Sequence, residues 1–578
     1  MKIIDRIPSD LLDVVNEFSR ELEWARRLPF YEIHKWWARR YSGVVRLFLS
    51  FTELDLKVLD DVDDYRSFVN SLYFNPLKVK GKKLLDPFAG GGTILIESSI
   101  LGYEPVGVDI NKIPCLFLNS LKMLSQVDFD WFEHEIKHVA DSLLGLWSTK
   151  CDKGHDALII HTFLAWSNKK GELQIKFNKI KDGKVKTYFC EKCGRVYSDE
   201  HELTNCKFCG NIFNKKYERI DYFKLSPYAL EYYCPICHER HIKELNMEDF
   251  RNFRCDPQNM LYNSLEIPRL NETNRLLNAG LRYFHELLTQ RQFLTFKAFL
   301  NHFQVDPYRT LAKVLVSDSL RSCSILAYYS DKYLKVIPAF VIKSYWLPPQ
   351  PVELNPLAYR LSNGKLLPLG RGNLISAFRK LKRARDYIDR QKIDLKFKVF
   401  HGPAQDVLPQ MEGNFDVIFT DPPYGDYQYY SDLSLFSLSI IDEINEDYLT
   451  QLLQKEIVLR RKEDLMKYKN ELYSVFYHAV NKLSTDGKIL VTFHHFDYVK
   501  LYAFLDVFKK LPIWLHAVYP VIGESSGGLV KRKIYLDLLF VFGKQKQDIY
   551  YTFTTHKFTK YDEQLQKSIE KVIEFYEG

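Results

Sequence analysis

Residues 415–424 read FDVIFTDPPY. Val417, Ile418 and Phe419 form a short apolar run, the pattern of a buried strand. The run ends on an acid, two prolines and an aromatic: Asp421, Pro422, Pro423 and Tyr424. Proline fixes φ and has no N–H, so this pair stiffens the backbone and leaves its carbonyls without local competition. A carboxylate, a fixed carbonyl and a ring face at the tip of one strand can together hold a planar heterocycle that bears an amino group. A strand that merely stops in a proline-rich turn would look the same in isolation, so the weight falls on what precedes and follows it.

Upstream, residues 82–85 read as a strand that runs into DPFAGGGT at 86–93, followed by an apolar helix over 94–100. The glycines permit a tight turn and close approach of a ligand to a helix N-terminus, whose N–H groups point at it. A second strand, 105–109, ends on Asp109. In nucleoside-binding sheets an acid at that tip takes the ribose hydroxyls, and the distance from Gly90 to Asp109 is close to the ~20 residues expected. Downstream, 395–400, 488–493, 515–520 and 535–542 read as further strands separated by helical stretches. The expectation is an α/β fold with a Rossmann-like, seven-stranded sheet.

The chain has 578 residues, enough for roughly three or four domains. Hydrophobic residues make up 46% and charged residues 27%, the balance of a globular protein in water. Aromatics reach 15%, which leaves rings for base stacking as well as for cores. A net charge of +8 mildly favours an anionic partner. The N-terminal residues lack a basic region followed by an apolar core, so no signal peptide is read, and no apolar stretch reaches the ~20 residues of a membrane helix. The expected compartment is the cytoplasm, with no membrane partner.

Eight of the ten cysteines lie between Cys151 and Cys255. Cys190-x2-Cys193-x12-Cys206-x2-Cys209 has the spacing of two zinc knuckles that supply four thiolates to one structural zinc. A third pair, Cys234 and Cys237, lacks an adjacent partner pair. Cys151, His155, His238, His241 and Cys255 are the candidates to complete a second site, with Cys151 and His155 preferred. Thiolate-rich sites of this kind are closed, so the metal is expected to stabilise its module rather than to do chemistry.

Several other stretches have two readings each. His34-Lys35-Trp36-Trp37-Ala38-Arg39-Arg40 is either an aromatic anchor or a contact to cofactor or DNA. Lys176, Lys179, Lys181, Lys184 and Lys186, interleaved with Phe177 and Tyr188, form either a solvated hairpin or a track for a phosphate backbone. Arg379, Lys380, Lys382, Arg383 and Arg385 lie on one predicted helix, with a solvated face as the default and a DNA-facing stripe as the alternative. Tyr427, Tyr429, Tyr430, Ser431 and Asp432 form an aromatic loop suited to covering a base, and residues 524–528 (ESSGG) a flexible loop near it. His494 and His495 read as core or sheet-edge histidines, and Cys115 and Cys323 as buried thiols.

DPFAGGGT at 86–93 with TDPPY at 420–424 resembles the S-adenosylmethionine-dependent amino-methyltransferases, and the motif order resembles the alpha-type DNA adenine methylases. IHKWWARR at 33–40, the inserted cysteine pairs, ETNRLLNAGLRYFHELLTQRQ at 272–292 and DPPYGDYQYYSDLS at 421–434 narrow the resemblance to the adenine-specific DNA methylases that carry a zinc ribbon. That likeness runs from about residue 20 to about residue 545. It implies S-adenosylmethionine as cofactor, held by Asp86, Pro87, Phe88, Gly90, Gly92, Thr93 and Asp109, with Asp406 accepting from the cofactor's adenine amine. It implies duplex DNA as partner, a base flipped into a pocket formed by Asp421, Pro422, Pro423 and Tyr424, and partner proteins of a defence or restriction system. Two other readings stand beside it. One is a transfer-RNA guanine-N2 methyltransferase, in which DPPYG also occurs. The other is a zinc-dependent nucleic-acid-binding protein whose methylase core no longer works.

The corresponding domain plan is an N-terminal helical segment (1–60), a first half of the catalytic core (61–125) and an insertion with the zinc module and a helical part, read as target recognition (126–370). A second half of the core (371–545) and a C-terminal helix (546–578) complete it.

Overall fold

The apolar run at 417–419 is the middle of the fourth strand in an eight-stranded, mostly parallel sheet. In chain order its strands are β1 (Lys83–Asp86), β2 (Glu104–Asp109), β3 (Lys398–His401), β4 (Phe415–Thr420), β5 (Leu483–Phe493), β6 (Trp514–Ile522), β7 (Leu536–Gly543) and β8 (Tyr550–Tyr551). Their spatial order is β3-β2-β1-β4-β5-β7-β6-β8. β3, β2, β1, β4 and β5 are parallel neighbours, whereas β7 runs antiparallel to both β5 and β6. The sheet thus has one strand more than expected, the two-residue β8 beside β6. β3 starts at Lys398, three residues later than the sequence pattern suggests.

The computed structural model describes residues 1–25, 27–37, 39–175, 179–182, 185–213, 222, 224–254, 265–330, 332–338, 340, 344–425, 428–494, 497–523, 536–554 and 562–577. Lys176, Phe177, Lys184, Cys255, Tyr427, His495 and the 524–528 loop lie outside them. Among the described residues no helix is long and apolar enough to cross a membrane.

The chain divides into two units. One comprises Met1–Lys122, Asp386–Ser431 and Glu446–Gly578, and contains the eight-stranded sheet. Its core is continuous from Ile3 to Ile573, and Val417, Ile418 and Phe419 are at most 3% exposed. Burying each such side chain stabilises the fold by roughly 1.5–3 kcal/mol. Residues 1–60 belong to this core rather than forming a separate segment. Helix α1 (Ser9–Ala25) is bound to β6 through Asn16, which donates to the Pro520 carbonyl (3.1 Å) and accepts the Ile522 N–H (2.7 Å). The Tyr519 hydroxyl accepts the Ile7 N–H at 3.0 Å and donates to the Ile4 carbonyl at 2.9 Å. Helix α2 (Ser42–Glu53) packs on helix α3 (Thr93–Leu101), which follows the glycine loop, and a buried Arg46–Glu97 ion pair (2.6 Å) joins them.

The other unit comprises Met123–Arg385 and Asp432–Asn445. Its main sheet is antiparallel, ordered Val352–Leu354, Asp156–Ser167, Lys224–Cys234, Glu239–Lys243, with Ser148–Lys150 also pairing on Asp156–Ser167. The helix Gln290–His302 is held to this sheet by Arg291, whose Nε donates to Glu353 at 2.8 Å, with both side chains about 1% exposed or less. A separate three-stranded ribbon is formed by Lys179–Asp182, Val185–Phe189 and Val196–Asp199. The basic stretch on Leu374–Gln391 is neither a bare solvated face nor a free stripe. Arg379 pairs with Glu133, Lys380 with Asp318 and Lys382 with Asp130. Lys179 and Lys186 of the ribbon both approach Glu202.

Candidate active site and metal centres

β1, β2 and β4 all end on acids at the same sheet edge: Asp86, Asp109 and, one residue past the strand, Asp421. The strand order reverses between β1 and β4, and a crevice opens at the carboxyl ends of parallel strands at such a point. One cavity there is lined by residues 86–94, Asp109, residues 403–405, residues 421–424, Gln428, Tyr430 and residues 455–458. Ile110, Asn111, Trp36, Arg39 and Arg40 complete its wall. The HKWWARR stretch therefore lies at the cavity, where the sequence left it between an anchor and a contact.

Asp86 is fully buried. Its Oδ1 accepts the Thr420 hydroxyl (2.8 Å) and the Phe88 N–H (3.1 Å), while Oδ2 is buried with no hydrogen bond. Burial pushes its carboxyl up to about 7, against the pull of the two bonds on Oδ1. Asp109 accepts the Gly90 N–H on Oδ2 and the Asn111 N–H on Oδ1, each at 2.8 Å, and burial raises it to about 6. Gly90 and Gly92 have φ of +43° and +71°, the left-handed region that favours glycine. A Cβ on Gly92 would lie 2.2 Å from Leu118 Cδ2, and one on Gly90 would lie 3.3 Å from Trp36 Nε1. An unbonded buried carboxylate oxygen, an acid tied to the loop and a backbone with no room for side chains fit a ligand bearing hydroxyls and an ammonium group, as S-adenosylmethionine does. Pro87, Phe88 and Thr93 line the same wall. Asp406 does not. It is half-exposed, pairs with Lys455 at 3.2 Å and lies outside the lining, whereas its neighbour Gln405 is part of it. The short helix Ala404–Val407 turns successive side chains in different directions, which spacing along the sequence does not reveal.

The 421–424 end of the cavity is built by four segments. Asp421 Oδ1 accepts the Thr492 hydroxyl of β5 at 2.6 Å and pairs with the Arg40 guanidinium. Arg40 also pairs with Asp537 of β7 and donates to the Tyr424 hydroxyl. Arg40 and Thr492 both meet Asp421 on Oδ1, and the side chain keeps 17% exposure at the cavity. The Pro423 carbonyl is taken by the Tyr468 hydroxyl at 2.7 Å, and among the described residues none donates to the Pro422 carbonyl. The Tyr424 ring meets Phe493 edge-on at 5.7 Å. His494 is buried against Asp537, in keeping with a core role, and Cys115 and Cys323 are buried thiols. Trp36 stacks on Tyr430 with centroids 5.5 Å apart. The sequence gives no sign that Arg40 and Thr492 meet Asp421, or that Arg40 also meets Asp537, because only the fold brings residues this far apart together. The WWARR stretch was the one available signal.

The second unit carries two clusters of Cys and His side chains that could hold a metal ion. Cys190, Cys193, Cys206 and Cys209 converge, with Sγ–Sγ separations of 3.5 Å (Cys190–Cys209) and 3.7 Å (Cys193–Cys206). Four thiolates around zinc at about 2.3 Å place sulfurs about 3.8 Å apart, so this set fits the ion. Each knuckle is closed by a glycine N–H on the first cysteine's carbonyl, Gly194 on Cys190 and Gly210 on Cys206, both at 2.9 Å. Cys151, His155, Cys234 and Cys237 form the other cluster, with His155 Nδ1 3.6 Å from Cys151 Sγ and 3.3 Å from Cys237 Sγ. Among the described residues His238 and His241 are not part of it.

No family model and no curated protein matches the chain. Among solved structures, TrmN from Thermus thermophilus is similar over 29% of this chain and 34% of that one, at 13% identity and a TM-score of 0.16. Precorrin 8w decarboxylase from Methanobacterium thermoautotrophicum is similar over 28% of this chain and 62% of that one, at 10% identity and a TM-score of 0.14. The chain thus spans about a third of the TrmN chain and less than two thirds of the other.

Proposed function

We propose that this protein is an S-adenosylmethionine-dependent methyltransferase that acts on the exocyclic N6 of adenine in DNA. The observation that carries the reading is that 86–93, Asp109 and 421–424, distant in sequence, line one cavity at the carboxyl ends of β1, β2 and β4. The strand order 3-2-1-4-5-7-6 with β7 antiparallel supports the Rossmann-like methyltransferase class, to which β8 is an addition. When bound, S-adenosylmethionine supplies a methyl group made electrophilic by its sulfonium.

Asp109 takes the ribose hydroxyls, and the 86–93 loop holds the amino-acid end. The amine of adenine is a poor nucleophile because its lone pair is delocalised into the ring. Its two N–H groups donate to Asp421 Oδ2 and to the Pro422 carbonyl, which favours a pyramidal nitrogen and stabilises the positive charge that develops there. Asp421 Oδ2 or solvent then receives the surplus proton. Tyr424 offers its ring to the base, which in a duplex has to leave the stack to reach it. The two cysteine clusters each hold a structural zinc, outside the chemistry.

The test is to incubate the protein with labelled S-adenosylmethionine and duplex DNA or transfer RNA, then digest and identify the methylated nucleoside. N6-methyladenine in DNA is expected. N2-methylguanosine in RNA would replace the substrate and keep the chemistry. Failure to bind S-adenosylmethionine in calorimetry would leave only a zinc-dependent nucleic-acid-binding protein.

A further inference from the structure

The methyltransferase reading assigns roles to the two motifs but not to what fixes their mutual position. We infer that Arg40 is the positioning residue that registers the acceptor motif against the cofactor loop, an inference that rests on that reading.

Its backbone carbonyl accepts the Thr93 hydroxyl at 3.3 Å, which ties it to the residue that opens α3 behind the glycine loop. Its guanidinium, in a side chain 5% exposed, pairs with Asp421 and Asp537 and donates to the Tyr424 hydroxyl. One residue therefore holds the cofactor loop by its main chain and the acceptor motif by its side chain. The guanidinium lies 5.6 Å from the Tyr424 ring centroid, and the Tyr424 and Thr492 hydroxyls, 3.2 Å apart, close the network.

The distribution of contacts on Asp421 gives the arrangement its meaning. Arg40 and Thr492 both hold Oδ1. A carboxylate gripped by one oxygen presents the other in a fixed direction, which an acceptor for a substrate N–H requires. The guanidinium also places one cation between two carboxylates, Asp421 and Asp537, which in its absence would face each other inside a poorly solvated site. Only a planar fork of several N–H groups serves three partners at once. A lysine ammonium provides the charge without that geometry.

Methyl transfer depends on alignment of nitrogen, methyl and sulfur, and a misplacement of about 1 Å costs on the order of 10²-fold in rate. The experiment compares wild type, Arg40→Lys and Arg40→Gln in steady-state methylation, calorimetry with S-adenosylmethionine and crystallography. The expected result is a fall in kcat of about 10²-fold for Arg40→Gln and a smaller fall for Arg40→Lys, with cofactor Kd within about 2-fold in both. Loss of stability alone would lower the folded fraction and leave kcat per folded molecule unchanged. Wild-type kcat in folded Arg40→Gln overturns the inference. If the wild type binds S-adenosylmethionine but methylates no nucleic acid, the substrate reading fails. The inference is then judged from the crystal structure of Arg40→Lys, where Asp421 is expected to leave its wild-type rotamer; an unmoved Asp421 overturns it.

Discussion

Asp109 Oδ2 accepts the Gly90 N–H across 2.8 Å, so the tip of β2 and the glycine loop after β1 are locked to each other. The same carboxylate accepts the Asn111 N–H on its other oxygen. In the proposed function, its remaining lone pairs are the ones offered to the cofactor's hydroxyls. Asp109→Asn keeps one oxygen and loses the charge, and a hydrogen bond to a charged group contributes about 1.5–3 kcal/mol. S-adenosylmethionine affinity is therefore expected to fall roughly 10- to 100-fold in calorimetry. An unchanged affinity would remove Asp109 from the cofactor site.

Asp86 makes stability depend on pH in an unusual direction for an acid. Burial raises it to about 7 in the folded chain, against about 3.9 for an unperturbed aspartate. The folded state binds the proton more tightly, so the stabilising contribution is complete below about pH 4 and is lost as pH rises through about 7. Asp86→Asn removes this titration. The thermal midpoint of wild type relative to Asp86→Asn is expected to fall between pH 4 and pH 7.5, by an amount corresponding to on the order of 2–4 kcal/mol. Parallel pH profiles would show that Asp86 stays ionised in the fold.

The two cysteine clusters predict a stoichiometry. Mass spectrometry under native conditions is expected to find two zinc ions per chain, one for each cluster. Cys209→Ser and Cys237→Ser should each lose one, and the double variant both. Because metal binding is coupled to folding of the module that supplies the ligands, a strong chelator should lower the thermal midpoint of wild type more than that of either single variant. One zinc in wild type, retained in Cys237→Ser, would make the Cys151–His155–Cys234–Cys237 set a purely packed cluster.

The legible parts of this chain were those written in contiguous residues. β1, β2 and β4 announce themselves by an apolar run that ends on an acid, and the knuckles by cysteine spacing and a following glycine. The partner of the Cys234–Cys237 pair was only narrowed to five candidates, of which the preferred two, Cys151 and His155, are the ones the fold brings beside it. What stayed hidden depends on pairings made by the fold. Arg40 meets Asp421 only because α2 packs on α3 and so sets the end of the WWARR stretch beside Thr93. Thr492 and Asp537 lie on strands whose buried patterns resemble any other, and their polar groups meet Asp421 and Arg40 only through register: Thr492 sits opposite Leu539 on the antiparallel pair. Likewise, nothing local indicates that residues 432–445 belong with the inserted unit rather than with the sheet.

Gln405 and Asp406 offer the sharpest contrast between spacing and geometry. Counting from β3 selects Asp406 as the group that accepts from the cofactor's adenine amine. In the fold, Asp406 is held by Lys455 outside the cavity, while Gln405 lines it and donates its Nε2 to the Lys455 carbonyl at 2.9 Å. That bond fixes the Gln405 amide and leaves its Oε1 as the acceptor on this wall. Asp406→Asn is accordingly expected to leave S-adenosylmethionine affinity within about 2-fold, because the hydrogen bonds counted at about 1 kcal/mol each are not made by this residue. Gln405→Leu, of similar volume and without the amide, should weaken binding by roughly 2- to 10-fold. Inosine or other 6-oxo analogues of the cofactor discriminate further: they lack the N–H that Oε1 accepts, so wild type should bind them more weakly and Gln405→Leu should bind both forms alike. The reverse pattern, with Asp406→Asn weakened and Gln405→Leu unaffected, would mean that the acid at this position turns toward the ligand on binding.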